Sequence, residues 1–148
     1  MKKSDRIKSL MHLAEKQEQQ AVRDLGQARQ QMEAQQTKLE ELREYREEYR
    51  RRFLQDGEQG ISGSQLQHFQ AFMCQLDQAI ENQQQVVEQL AVQCRQQTDH
   101  WQQRHQQTRI LDKTRDRFAR HERHQAERQE QLENDDLAGA RHKPSKPS

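Results

Sequence analysis

Few side chains in this 148-residue chain have the type and spacing to do covalent or metal chemistry. His121 and His124 stand three apart, which puts both on one face of a helix, as two metal ligands would be. No third ligand is spaced to close a zinc site with them, and His121-Glu122-Arg123-His124 departs from the zincin pattern, whose histidines are four apart. Cys74 and Cys94 fall far apart along one predicted helix and cannot bridge each other within a molecule. No glycine loop ends in Lys-Ser or Lys-Thr after a strand, so the pattern offers no phosphate cradle. Serines and acids fall on exposed positions or in a turn, and two paired helices supply no pocket to shield a reaction from water. These residues predict a non-enzyme without metal or cofactor. Its chemistry is then binding, carried by surfaces whose placement depends on the elements beneath them.

Those elements follow from a heptad repeat, apolar residues alternating three and four apart at positions a and d. In the first half a reads Met11, Glu18, Leu25, Met32, Leu39, Arg46, Phe53, and d reads Ile7, Ala14, Ala21, Ala28, Gln35, Leu42, Tyr49. In the second half a reads Leu66, Met73, Ile80, Val87, Cys94, Trp101, Thr108, and d reads Phe69, Leu76, Gln83, Leu90, Gln97, Arg104, Leu111, Phe118. Between them Asp56-Gly57-Glu58-Gln59-Gly60-Ile61-Ser62-Gly63-Ser64 breaks the pattern. The fold class expected is all-α, a long two-helix antiparallel coiled-coil hairpin.

Folding the chain back about Ile61 sets every a against a d, as antiparallel packing requires. Phe53 then faces Phe69, Tyr49 faces Met73, Leu42 faces Ile80 and Met32 faces Leu90. Small Ala21 faces Trp101 and small Ala28 faces Cys94. Glu18 falls opposite Arg104, so the one carboxylate in the seam is offered a cation. A one-heptad slip also keeps a against d but loses that match, and the register about Ile61 is preferred.

Composition agrees with an extended seam. Charged residues make up 33% and hydrophobic residues 30%, with a mean hydropathy of −1.45, too polar for a compact globule of this size. Disorder is the competing reading of such a composition, but a disordered segment has no reason to hold a heptad register through so many turns. The net charge of +1 gives neither a basic field for nucleic acid nor an acidic tail. With no signal peptide and no long apolar run, the chain is expected to be cytoplasmic, reaching a membrane only through a partner.

Along the chain, helix one is expected from about Ser4 to Gln55, roughly 78 Å of helix. Gly26 is its one internal breaker and takes a solvent-facing b position. The turn covers 56–64, and Ser64 with Gln67 supplies a capping box for helix two, about 65–134. Residues 1–136 thus form the hairpin and 137–148, with both prolines, a disordered tail. Helix two outruns helix one, because Ser4 stands opposite Phe118. From about Ala119 to Asn134 it has no partner in the chain, an overhang of roughly 24 Å. A covalent turn avoids most of the cost of associating separate chains, about 4–15 kcal/mol, so a monomer is expected.

Two surfaces are left for binding. In an antiparallel pair the g positions of both helices line one flank, and near the turn these are Tyr45, Phe72, Ala79 and Val86, beside Leu42, Tyr49 and Leu76. They read either as a broadened seam or as a partner's footing. Asp112 to His124 is locally basic and occupies the unpaired end, either a docking surface for carboxylates or a solvated helix with i to i+4 pairs. A basic helix running out of a coiled coil is also the geometry of dimeric DNA binders. Here Asp116, Glu122 and Glu127 interleave the cations and no partner fork exists, which disfavours nucleic acid.

Leu13-Ala14-Glu15-Lys16, Leu25-Gly26, Leu39, Leu42, Tyr45, Glu48-Tyr49-Arg50, Gly60-Ile61-Ser62, Phe69, Phe72, Leu76 and Ala79-Ile80 together resemble the flagellar export protein FliJ family, over most of the chain. The resemblance implies a component of the flagellar type III export apparatus, shaped like the rotor stalk of F- and V-type ATPases. It implies that the end holding both termini inserts into the hexameric export ATPase and promotes its assembly. It further implies a link to the membrane export gate, binding of empty export chaperones, and a peripheral place at the inner-membrane base of the flagellum. The gate-binding residues it implies are Leu42, Tyr45, Tyr49, Phe72, Leu76 and Ala79. ATPase contacts transfer as a region, with Arg115, Arg117 and Arg120 as the candidates. The alternatives are a generic coiled-coil tether or a secretion chaperone that dimerises in parallel.

Overall fold

The computed structural model describes residues 2–141. Helix α1 spans Lys3–Asp56 and α2 spans Gly63–Arg141, with a single 3-10 turn at Gly57–Gln59 between them. No strand occurs among the described residues. The all-α antiparallel hairpin is the observed fold. Both helices are rich in Gln, Glu, Arg, Leu and Ala, which lose little rotamer freedom in a helix. Gly26 is exposed and α1 passes through it unbroken.

The reversal depends on Gly60, whose φ of 104° and ψ of 144° lie where a side chain is strongly disfavoured. Its N–H donates to Gly57 O at 3.0 Å and closes the 3-10 turn. The capping box is formed by Ser62 and Gln65, two residues before the expected Ser64 and Gln67. Ser62 Oγ accepts from the Gln65 N–H and Gln65 Oε1 accepts from the Ser62 N–H, both at 3.1 Å. The spacing Ser-x-x-Gln occurs twice in succession, and the first copy lies next to the glycine that reverses the chain.

Contacts divide the chain into two units, Gln19–Gln103 and Met1–Glu18 with Arg104–Ser148. The first contains the turn. Ala21, Leu25, Leu39, Leu76 and Cys94 are buried there, and every other a or d position of the unit is half-buried except Leu66. Leu66 is exposed, because the residue across from it is Asp56, the last of α1, which offers no apolar side chain. The Phe53 and Phe69 rings stack at 3.9 Å with 8° between their planes, as folding about Ile61 requires. Two glutamines of adjacent layers satisfy each other. Gln83 Nε2 donates to both the backbone oxygen and Oε1 of Gln35, each at 2.8 Å.

In the second unit Ile7, Met11 and Ala14 are buried, and Leu111 and Phe118 are half-buried. The expected pairing of Glu18 with Arg104 is replaced by a crossed arrangement. Glu18 Oε1 lies 2.7 Å from His105 Nδ1, while Arg104 donates to Gln17 Oε1 at 2.8 Å. Long polar side chains leave a seam by its edges. Position a adjoins the e flank, where His105 stands, and position d adjoins the g flank, where Gln17 stands.

Pairing in this unit continues past Phe118. The buried Ser4 donates its hydroxyl to Glu122 Oε2 at 2.6 Å and its N–H to Glu122 Oε1 at 3.3 Å. The overhang therefore starts at Arg123 and not at Ala119, and every residue from 123 to 140 is exposed. Helix α2 also runs beyond the expected end near 134, carrying residues 137–141 of the expected tail as helix. The rest of that tail, 142–148, lies outside the described residues.

Candidate partner-binding site

The flank of the turn-bearing unit is an aromatic cluster built by both helices. Tyr45 lies 6.4 Å from Tyr49 and meets Phe72 edge-on at 6.2 Å. Tyr49 in turn lies 4.5 Å from Phe72 and 5.7 Å from Phe69, which stacks on Phe53. The Tyr49 ring thus meets Phe72 on the g flank, where offset and edge contacts between rings are available.

Of the six residues expected to meet a partner here, Tyr45 is the most open, at 49% exposure. Leu42, Tyr49, Phe72 and Ala79 are half-buried. Leu76 is 7% exposed, and its side chain belongs to the seam. The flank is thus part core and part surface. Rings held by other rings have little entropy left to lose on binding, so an open Tyr45 edge makes an economical contact.

One cation borders this cluster. Arg46 Nε donates across the helices to Asp77 Oδ1 at 2.5 Å, and its Nη1 reaches Glu47 at 3.3 Å. The hydrogen bond it donates to Asp77 holds the guanidinium above the ordinary arginine value, burial opposes this, and the charges of Asp77 and Glu47 add to it. Its charge is compensated on the spot.

The three candidate arginines, which lie in the other unit, do not share a face. Arg115 occupies an a position and is engaged, with Nη2 at 2.6 Å from Asp112 and 3.3 Å from Asp116. Arg120 turns back on its own helix to donate Nε to Asp116 O at 3.4 Å. Arg117, at c, is exposed and makes no ion pair among the described residues. Only Arg117 presents an uncommitted fork.

A surface outside the expected set lies in the same unit. Leu10, Leu13, Ala14, Gln17, Gln107, Ile110 and Leu111 line a groove of about 340 Å³. Leu10 and Leu13 are each 54% exposed and Ile110 is 63% exposed. The g-position argument that singled out Tyr45 also applies to Leu10. Leu13 and Ile110 sit at c, one step outside the flank, where the heptad alone gives no reason for an apolar residue.

The fold and these surfaces define a two-helix antiparallel coiled coil whose chemistry lies in what its flanks bind. No described helix is long and apolar enough to cross a membrane. The family model described as Flagellar FliJ protein matches residues 2–146, nearly the whole chain, and the chain belongs to that family. It is a component of the flagellar type III export apparatus, in a family whose part in export is non-catalytic. No curated protein and no solved structure matches the chain.

Proposed function

We propose that this chain joins the hexameric export ATPase to the cytoplasmic domain of the export gate, promotes assembly of the ATPase ring, and binds empty export chaperones. The family match over residues 2–146 carries the reading. Two surfaces of different chemistry support it. The aromatic flank with Tyr45 at its edge offers an apolar contact for the gate. Arg117 and Arg120, just before the exposed end of the second helix, offer cationic contacts for the ATPase pore. Arg117 makes the direct contact there, while Arg115 holds Asp112 and Asp116. The mechanism is binding at two places on one chain, not turnover.

Co-purification tests the reading, with the tagged chain offered the export ATPase and the gate's cytoplasmic domain together. A ternary complex is expected, with the chain raising ATP hydrolysis by promoting the ring. Capture of neither protein would contradict the proposal and favour a generic tether.

A further inference from the structure

The groove of Leu10, Leu13 and Ile110 has no place in the reading above. Its lining residues are neither the aromatic flank nor the arginines assigned to the ATPase, although one of those, Arg117, stands a heptad beyond it. The Ala14 and Leu111 side chains form its floor, from d positions of α1 and α2. Its walls are Leu10, Gln17 and Gln107 at g, with Leu13 and Ile110 at c. Leucine and isoleucine more than half open to water, side by side on two helices, form a contiguous apolar patch of the kind that marks an interaction site.

The charge beside the patch has one sign. A heptad back along α1 from Leu10 and Leu13 stand Lys3 and Arg6, and a heptad on along α2 from Ile110 stands Arg117. Neither Arg6 nor Arg117 has an ion pair among the described residues. The acids of this stretch are turned elsewhere. Glu18 is held by His105, Glu122 by Ser4, and Asp112 and Asp116 by Arg115, while Glu15 lies 3.8 Å from His12 and Asp5 is exposed at b, none of them at a g or c position. The flank therefore reads as an apolar ridge continued by uncompensated cations.

We propose that this groove docks an amphipathic helix of a partner protein, one with leucine-sized side chains along a single stripe and carboxylates beside it. A third helix laid along the g flank would set its stripe against Leu10, Leu13 and Ile110, completing a three-helix packing. Its carboxylates would meet Arg6 and Arg117, which fixes the direction in which it lies.

The probe is a labelled synthetic helix of about 18 residues with leucines at i, i+3, i+4 and i+7 and glutamates flanking them. It is titrated with the full chain and read by anisotropy. A second peptide carries lysine at every glutamate position. The acidic peptide should bind, and the basic one should bind at least about tenfold more weakly. Leu13→Gln with Ile110→Gln removes the ridge without changing charge, and should weaken the acidic peptide about tenfold at unchanged helicity. Arg6→Glu should weaken it as well, by a factor that shrinks as salt is raised. Equal binding of the two peptides, no binding of the acidic one, or equal binding to chain and glutamine variant would overturn the proposal. So would a doubled mass that the glutamine variant abolishes, since the occupant would then be a second copy of this chain. Each arm is read without the ATPase or the gate, so failure here leaves the function proposed above standing.

Discussion

The Phe53 ring on α1 lies flat against the Phe69 ring on α2, 3.9 Å between centroids. These are the apolar a and d residues of a layer next to the turn, so the stack sets which residue meets which along the seam that follows. Both rings are half-buried. Phe69→Ala should therefore cost about 2 kcal/mol, below the roughly 3–5 kcal/mol of a fully buried phenylalanine. Urea unfolding followed by circular dichroism measures it. A cost near zero would mean that the stack does not set the register.

The turn makes a sharper contrast between two glycines. Gly60 has φ +104°, and Gly60→Ala should destabilise by about 1–3 kcal/mol. Gly63 opens α2 with nothing within 4 Å of an added Cβ. Gly63→Ala should stabilise by about 0.5 kcal/mol through the unfolded chain. Thermal melts of the two variants should move in opposite directions.

Acid should release the start of α1. The Ser4 hydroxyl, and more weakly its N–H, hold Glu122 below the ordinary carboxylate value, with burial opposing. A carboxyl group depressed on folding contributes stability above its unfolded pKa and loses it as pH falls through the folded one. The Ser4 amide resonance should thus shift as pH drops below about 4.5, the ordinary value. Glu122→Gln should show no such step, and an unchanged step in that variant would assign it to another group.

Tyr45→Ala with Phe72→Ala tests the gate-facing flank. Helicity should be kept, because Tyr45 is half open and Phe72 only partly covered, while affinity for the gate's cytoplasmic domain falls at least about tenfold. Loss of helicity would show that the flank is core.

Much of this architecture was legible because a heptad repeat is redundant. Ile7, Met11, Ala14, Ala21, Leu25, Leu39, Leu76 and Cys94 all end buried where their phase places them. The failures share a cause: the pattern records Cα positions, whereas long side chains choose partners by reach. Glu18 reaches His105 and not Arg104, and Arg104 reaches Gln17. The cap moved from Ser64 to Ser62 because the two candidates are equivalent in sequence and only the backbone at Gly60 distinguishes them. Ser4 and Glu122 extend the pairing beyond Phe118 through polar atoms, which a search for apolar residues does not register. The Leu13 and Ile110 groove was illegible for the opposite reason, since its residues lie off the seam that the repeat describes.

The central claim is that one molecule pairs its own two helices, and a distance between spin labels at positions 32 and 90 tests it most directly. The labels enter as Met32→Cys and Leu90→Cys in a chain carrying Cys74→Ser and Cys94→Ala, diluted with unlabelled protein. Helix axes roughly 8–10 Å apart predict label separations within roughly 20 Å that do not change on dilution. A long separation, or a short one that vanishes as unlabelled chain is added, would show that the helices pair between molecules and contradict the hairpin.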